Sequence, residues 1–182
     1  LKAEYSAEVE WRLFLLRPDT PPEGMEIPVH LRARMAGTTE RLKHMARAAG
    51  LEMVTPTRIP STRRAHEATE YARQQGKGEE FHRVVFRQFY GEGRDISRWE
   101  ILREAATEVG LNPDVMQRET ESGKYRAVVE AHFDEAYALG ISGVPTYLLN
   151  DKREAAIVGA QPYEVFQQAL AQLAESSESS GK

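Results

Sequence analysis

The sequence predicts an α/β fold in which a block of helices is inserted between strands. Glu8–Leu16 turns from weakly alternating to continuously apolar, which is typical of a mostly buried strand. Between residues 38 and 140 the apolar residues recur with helical spacing. After Gly140 the period changes to two, and a last amphipathic helix follows. We therefore expect the front strand and the rear strands to share one sheet.

Composition and charge exclude several classes of function. The chain has 182 residues, of which 41% are apolar and 29% charged, enough for a substantial globular core. Its formal net charge of −4 offers no broad basic surface, so we expect no nucleic-acid partner. No apolar run reaches the roughly 18 residues of a membrane span. The chain has no cysteine, which excludes structural disulfides and thiolate metal sites within these residues.

The first residues predict one short helical piece, the strand and a loop. Residues 1–5 are typical of the end of a helix. Arg17-Pro18 ends the strand, and Pro21-Pro22-Glu23-Gly24 is a loop sequence.

Caps and glycines divide the helical block into successive helices. Thr38-Thr39 predicts a helix start and Gly50 its end, while Ser61-Thr62 and Gly76 bound the next helix. A clear apolar stripe follows, and its members are Phe81, Val84, Val85 and Phe89. The helices after it begin at three further signals, namely the capping box Ser97–Glu100, the cap Asn112-Pro113, and the long apolar pattern of Tyr125–Leu139.

The rear of the chain predicts a hairpin and one helix. Thr146–Leu149 and Ala155–Val158 are the strands, and Asn150-Asp151-Lys152 is the turn between them. A helix containing Val165 to Leu173 comes next, followed by a polar tail.

Three stretches in this order resemble the DsbA-like oxidoreductases, above all their FrnE-type branch. They are Trp11–Asp19, Ile59–His66 with Gly91–Ser97, and Ala138–Thr146. The resemblance implies a thioredoxin-like fold with an inserted all-helical domain. It assigns 1–37 and 123–174 to the thioredoxin-like domain and 38–122 to the insert, leaving 175–182 as a flexible polar tail. It also implies a bacterial-type soluble protein of the cytoplasm.

The family's reactive motif has no counterpart in these residues. Family members open with a strand and a Cys-Pro-Trp-Cys type motif at the start of the first helix, whereas this sequence begins near the end of that helix. No catalytic residue is therefore assigned, and we expect the motif to lie upstream. A degenerate relative without the motif is the alternative.

The resemblance implies a substrate-binding loop at Gly143, Val144, Pro145 and Thr146. Pro145 occupies the family's cis-proline position, and the backbone of Val144 would pair with an extended substrate segment. Gly143 either permits a close approach of another chain or is a simple turn residue. Thr146 is expected to form a local, structural hydrogen bond.

The remaining candidates favour structural roles. Ser142 lacks the Gly-x-Ser-x-Gly spacing of a nucleophile elbow. The histidines show no metal-ligand spacing, and they are His30, His44, His66, His82 and His132. We expect His132 to be a satisfied core residue and His66 to lie on a helix surface.

Aromatic and basic side chains are open to two interpretations. The aromatic residues could line a substrate groove, but their helical spacing favours the core; they are Trp11, Trp99, Phe81, Phe86 and Phe89. Arg63, Arg64 and Arg94 could bind acidic groups, although a solvated helix face is the expected role.

Three functions remain open at this stage. The first is thiol–disulfide exchange on protein or peptide substrates. The second is a glutathione-dependent reaction of the kappa-class transferase or hydroxychromene-carboxylate isomerase type, with glutathione as the partner. The third is a redox-inactive peptide-binding module. None of them calls for a bound cofactor or metal, or for a membrane.

Overall fold

The computed structural model describes residues 2–5, 7–150 and 152–179. They form two compact units, Leu1–His132 and Phe133–Lys182. In chain order the elements are α1 (Lys2–Tyr5), β1 (Met25–Glu26), α2 (Val29–Ala48), β2 (Arg58–Ile59), α3 (Arg63–Gln74), α4 (Gly78–Phe86), a π-helical turn (Arg87–Gly91), α5 (Trp99–Glu108), α6 (Pro113–Glu121), α7 (Arg126–Ala138), β3 (Thr146–Leu149), β4 (Lys152–Val158) and α8 (Tyr163–Ser179).

The prediction that the front segment forms a strand of a sheet is wrong. The segment between residues 7 and 16 joins no ladder, and the described residues form two separate two-stranded sheets, β1–β2 and β3–β4. Leu15 is 3% exposed, but Trp11 and Leu16 are more than half exposed. An apolar run favours burial of side chains, whereas a strand also needs a partner for its backbone. The expectation of one shared sheet is wrong for the same reason.

A short ladder that the sequence pattern does not predict lies in the first unit. Met25 pairs with Ile59 and Glu26 with Arg58 in antiparallel register. Gly24, the last residue of the predicted loop, allows the two chains to come together. Its φ is +71°, and a Cβ there would lie 2.7 Å from the carbonyl oxygen of Ile59. Only glycine combines that dihedral with that approach.

Replacing Gly24 by alanine is therefore expected to cost about 2 kcal/mol of unfolding free energy, from the positive φ and the backbone clash. Gly37→Ala is the matched control, because Gly37 lies inside α2 and a Cβ there meets nothing within 4 Å. The control is expected to gain up to about 1 kcal/mol, since alanine is the better helix former. Urea unfolding of both variants measures the difference, and equal stabilities would refute this account of Gly24.

Helix α2 begins nine residues before the predicted start. Pro28 is its N-cap residue, and its carbonyl accepts hydrogen bonds from the N–H groups of Leu31 and Arg32. Thr38 and Thr39, predicted as a cap, lie inside the helix. A threonine caps a helix only where the backbone before it is non-helical. Here the helix has already begun after Pro28, so the backbone before the threonines is helical.

The core of the first unit is formed by α3 to α6 and by Tyr125. Its buried residues are Ala65, Ala68, Tyr71, Ala72, Phe81, Val84, Val85, Ile96, Leu102, Ala105, Ala106, Met116 and Tyr125. The apolar stripe of α4 supplies three of these, as its spacing predicts. Phe89, the fourth member, packs against the cluster while remaining partly exposed.

The predicted caps in this block have mixed outcomes. The side chain of Asn112 accepts hydrogen bonds from the N–H groups of Asp114 and Val115, so that cap is confirmed. The capping box is wrong, because the hydroxyl of Ser97 donates to Asp95 and Arg98 takes the N-cap position. The carboxylate of Asp95 also accepts from the N–H of Ser97, and these two bonds hold Ser97 one residue before the cap position.

The second unit contains the predicted hairpin. Strands β3 and β4 pair antiparallel, with Thr146 opposite Val158 and Tyr147 opposite Ile157. Asn150 has a φ of 53°, which suits a tight turn; Asp151 lies outside the described residues. Helix α8 continues to Ser179, beyond the residue at which the polar tail was expected to begin.

The domain assignment from the resemblance stays a prediction, since a division into compact units does not test it. No helix in the described ranges combines the length and apolar character needed to cross a membrane.

Candidate functional site

The candidate site is the loop between α7 and β3 in the second unit. Gly140, with a φ of +70°, ends the helical course as predicted. Its N–H donates to the carbonyl of Tyr137, and the N–H of Ile141 donates to that of Ala136. These bonds satisfy the last carbonyls of α7 and turn the chain toward β3.

Two hydrogen bonds hold the loop on either side of Val144. The hydroxyl of Thr146 donates to the carbonyl of Gly143 over 2.8 Å, which is the local bond expected for that threonine. The N–H of Gly159, just after β4, donates to the carbonyl of Pro145 over 2.8 Å. The Val144–Pro145 peptide bond is cis. The loop is thus attached to both strands of the hairpin.

Val144 presents an unoccupied backbone at this fixed position. It is 54% exposed, and among the described residues neither its N–H nor its carbonyl has a hydrogen-bond partner. The neighbouring Gly143 has open space where a side chain would be, with no atom within 4 Å of an ideal Cβ. No other described segment of the chain lies close to this side of Gly143, so the space beside it is open to a ligand.

A cavity of about 180 Å³ lies beside the loop within the same unit. Leu139 and Ile141 line it from the end of α7, and Leu148 and Val158 line it from the hairpin. Gly143 and Thr146 also border it. An extended ligand on the Val144 backbone could place an apolar side chain there.

His66 lies in the first unit and is not the surface residue that the sequence predicts. It is half-buried at the start of α3. Burial lowers the pKa of its imidazole to about 4; the positive charges of His82 and Arg63 lower it further, and a hydrogen bond to the backbone of Phe14 opposes the shift. The sequence near His66 does not indicate this environment, because Phe14 lies in the extended segment far away along the chain.

His132 also departs from expectation. The residue is half-buried, and its Nδ1 atom is buried with no hydrogen-bond partner among the described residues. The prediction of a satisfied core histidine is therefore wrong. No group of three His, Asp or Glu side chains suited to a metal ion occurs within the described part of the chain.

The aromatic candidates divide between core and surface. Phe81 is fully buried, and Trp99 and Phe89 pack against the core, as the helical spacing predicts. Trp11 and Phe86 are 59% and 50% exposed, so the core prediction is wrong for them.

Sequence reasoning missed an aromatic row in the first unit. The ring centroid of His82 lies 5.1 Å from that of Trp11 and 4.3 Å from that of Phe86, and Tyr90 follows at 5.5 Å. The signal was present as the four-residue spacing of positions 82, 86 and 90. Trp11 joins the row only through the tertiary fold.

The three candidate arginines bind groups within their own unit. Arg63 pairs with Glu130 at 3.3 Å and Arg94 with Glu104 at 2.6 Å. Arg64 donates to the backbone carbonyl of Ser97, and its guanidinium lies 4.9 Å from the centre of the Trp99 ring. Arg64 is thus part of the packing rather than of a solvated face.

Comparison with known proteins gives consistent matches over most of the chain. The family model of the DSBA-like thioredoxin domain matches residues 1–171. The uncharacterized protein YwbO of Bacillus subtilis strain 168 is 31% identical over 166 residues, which cover 90% of this chain and 80% of YwbO.

Two solved structures are similar in fold. A probable DsbA oxidoreductase from Streptomyces coelicolor has a TM-score of 0.78 at 28% identity, over 88% of this chain and 73% of that one. A 2-hydroxychromene-2-carboxylate isomerase has a TM-score of 0.69 at 19% identity, over 82% of this chain and 71% of that one. The fold is accordingly α/β and thioredoxin-like with an inserted helical block, as the sequence predicts.

Proposed function

The chain belongs to the DSBA-like thioredoxin domain family, and from that premise we propose that it serves thiol–disulfide exchange on protein or peptide substrates. Its own contribution is to bind an extended substrate segment at Gly143, Val144, Pro145 and Thr146. Within the family we propose the FrnE-type branch, on the three stretches of resemblance quoted above. The cytoplasm is the proposed compartment, which cell fractionation would test.

One observation carries this proposal, namely the free backbone of Val144. Val144 is an exposed residue whose N–H and carbonyl have no partner among the described residues, and hydrogen bonds on either side fix its position, so its backbone can pair with an extended peptide as a sheet edge does. Because the loop is attached to both strands of the hairpin, little conformational entropy is lost when a peptide binds. The adjacent cavity supplies room for one apolar side chain of that peptide.

The exchange reaction needs a thiol that these 182 residues do not contain. In that reaction a thiolate attacks one sulfur of a disulfide, forms a mixed disulfide with it, and releases the other sulfur as a thiolate. The attacking thiol must therefore come from residues other than these. The loop would hold the substrate strand so that its disulfide meets that thiol.

Peptide binding tests the part of the proposal that this chain can perform. A short peptide of valine and threonine with a central serine in place of cysteine is titrated against the protein, and single backbone amides are then N-methylated in turn. Strand addition at Val144 predicts about a tenfold loss of affinity at one amide and little change at its immediate neighbours, because hydrogen-bonding positions alternate along a strand. A uniform effect of methylation would contradict strand addition.

Variants of the loop supply the matching control from the protein side. Gly143→Ala places a methyl group in the open space and is expected to weaken peptide binding several-fold while leaving the melting temperature unchanged. Val144→Ala keeps the backbone and is expected to retain binding. Loss of binding in the second variant alone would mean that the side chain, not the backbone, is recognised.

Activity is tested on the protein purified at its native length from its own host, by thiol titration and insulin reduction. Titratable thiols with turnover are the expected result. If the protein has no titratable thiol and no turnover but still binds the peptide, it is a redox-inactive binding module. Glutathione binding without redox cycling would instead favour the glutathione-dependent reaction, whose support is the fold shared with the isomerase.

A further inference from the structure

Helix α2 is a long basic helix that the rest of the first unit scarcely covers. It has 20 residues, and Thr39 is its only buried one. Five of its residues are arginine or lysine and one, Glu40, is acidic, in a chain whose formal net charge is −4. Its positive charge is therefore a local feature against an acidic background.

None of the four arginines of this helix has an acidic partner among the described residues. Among the described residues Arg32, Arg34, Arg41 and Arg47 form no ion pair, and Lys43 pairs with Glu40. Five arginines later in the first unit are different, because each is paired with a carboxylate: Arg73 with Glu70, Arg83 with Glu79, Arg87 with Glu108, Arg94 with Glu104 and Arg103 with Asp114. The unmatched charge on α2 is available to an anionic partner.

Four apolar residues and one threonine of α2 follow the spacing of a coiled-coil seam. The seam residues are Leu31, Met35, Thr38, Leu42 and Met45, separated alternately by four and three positions. Met35 and Met45 are 41% and 45% exposed, and the two leucines are half-buried. A stripe with this period packs best against another helix, and methionine adapts its shape to a partner.

The arginines occupy the positions that select the partner's charge. In this register Arg34 and Arg41 precede the seam residues Met35 and Leu42, and such flanking positions form the ion pairs between paired helices. On the opposite flank Thr39 is 8% exposed and faces the protein, so a partner helix has to lie on the side of the two arginines.

We propose that α2 docks an acidic amphipathic helix of another protein along this seam, with glutamates opposite Arg34 and Arg41. A second copy of α2 is the wrong partner, because an antiparallel pair would set Arg34 against Arg41 of the other copy, and a parallel pair would bring no carboxylate to either arginine. A lipid surface fits less well, since α2 has no tryptophan or phenylalanine and a threonine interrupts the seam. This proposal is independent of the peptide loop in the second unit.

Two synthetic helical peptides with leucine at the seam positions test the proposal. One carries glutamate at the flanking positions and the other lysine, and binding is measured by fluorescence anisotropy. The protein is expected to bind the glutamate peptide at least about tenfold more tightly than the lysine peptide. The double variant Arg34→Glu with Arg41→Glu is expected to reverse that preference, which a merely structural role of the helix would not do.

The matched control is Arg17→Glu with Arg118→Glu, which makes the same change of charge at two exposed arginines off the seam that also form no ion pair within the described ranges. It is expected to keep the preference for the glutamate peptide. Equal losses in the two double variants would overturn the proposal, because they would indicate a net-charge effect. Failure to bind the glutamate peptide would overturn it too, as would binding to phosphatidylglycerol vesicles or RNA in its place.

Discussion

Replacing Phe81 by alanine is expected to lower the free energy of unfolding by about 3–5 kcal/mol. The side chain is fully buried in the core cluster of α3 to α6, where it is among the largest buried groups. Its removal loses the free energy gained by transferring an aromatic ring out of water. It also leaves a cavity that closely packed helices cannot fill. A loss of this size approaches the whole stability of many single domains.

Phe86→Ala is the matched control on the same helix. Phe86 is 50% exposed, and its ring lies beside those of His82 and Tyr90 in the aromatic row, so we expect a loss below about 1 kcal/mol. Urea unfolding, with m-values compared, separates the two variants. Similar losses at both positions would mean that the aromatic row, rather than the cluster around Phe81, holds α4.

The second large effect is a loss of stability in mild acid caused by His66. The pKa of its imidazole is lowered to about 4 in the folded chain, mainly by burial, from an ordinary value of 6.5. Between these pH values the unfolded chain binds the extra proton and the folded chain does not. Stability is therefore fully present above pH 6.5 and falls as the pH is lowered toward 4, by up to about 3 kcal/mol.

The variant His66→Gln isolates this contribution. Glutamine cannot gain a proton, so the slope of unfolding free energy between pH 6.5 and 4 is expected to flatten. Burial also lowers the pKa of His82, so part of the slope remains. His44→Gln, at an exposed histidine of α2, is the matched control for the substitution itself. An unchanged slope in His66→Gln would assign the acid sensitivity to other groups.

Local chemistry made much of the fold and of the site predictable. The side chain of Asn112 caps its helix with bonds to Asp114 and Val115, and the stripe that includes Phe81 and Val84 packs inward. The hairpin is predicted by the change of the apolar period to two after Gly140 and by the turn residue Asn150. The loop at Gly143 to Thr146 came from a family resemblance, and the local bond of Thr146 is the one expected.

Other features depend on residues far apart in the sequence. Nothing in the sequence near His66 indicates that its imidazole is buried and hydrogen-bonded to the backbone of Phe14, so the pKa, which burial lowers, could not be foreseen. The start of α2 was missed because a proline cap competes with the threonines inside the helix.

The sequence alone predicts most of the helices and the hairpin, because periodicity, caps and glycines act within a few residues of the chain; it misses the start of α2 and the ladder of β1 and β2. It also excluded thiol chemistry from these residues. Tertiary contacts decide that, among the described residues, the segment at Trp11 to Leu16 joins no sheet, the backbone of Val144 has no hydrogen-bond partner and the arginines of α2 form no ion pair. Those outcomes depend on which partner reaches each group, and a backbone bond or an ion pair between distant residues exists only once the chain has folded.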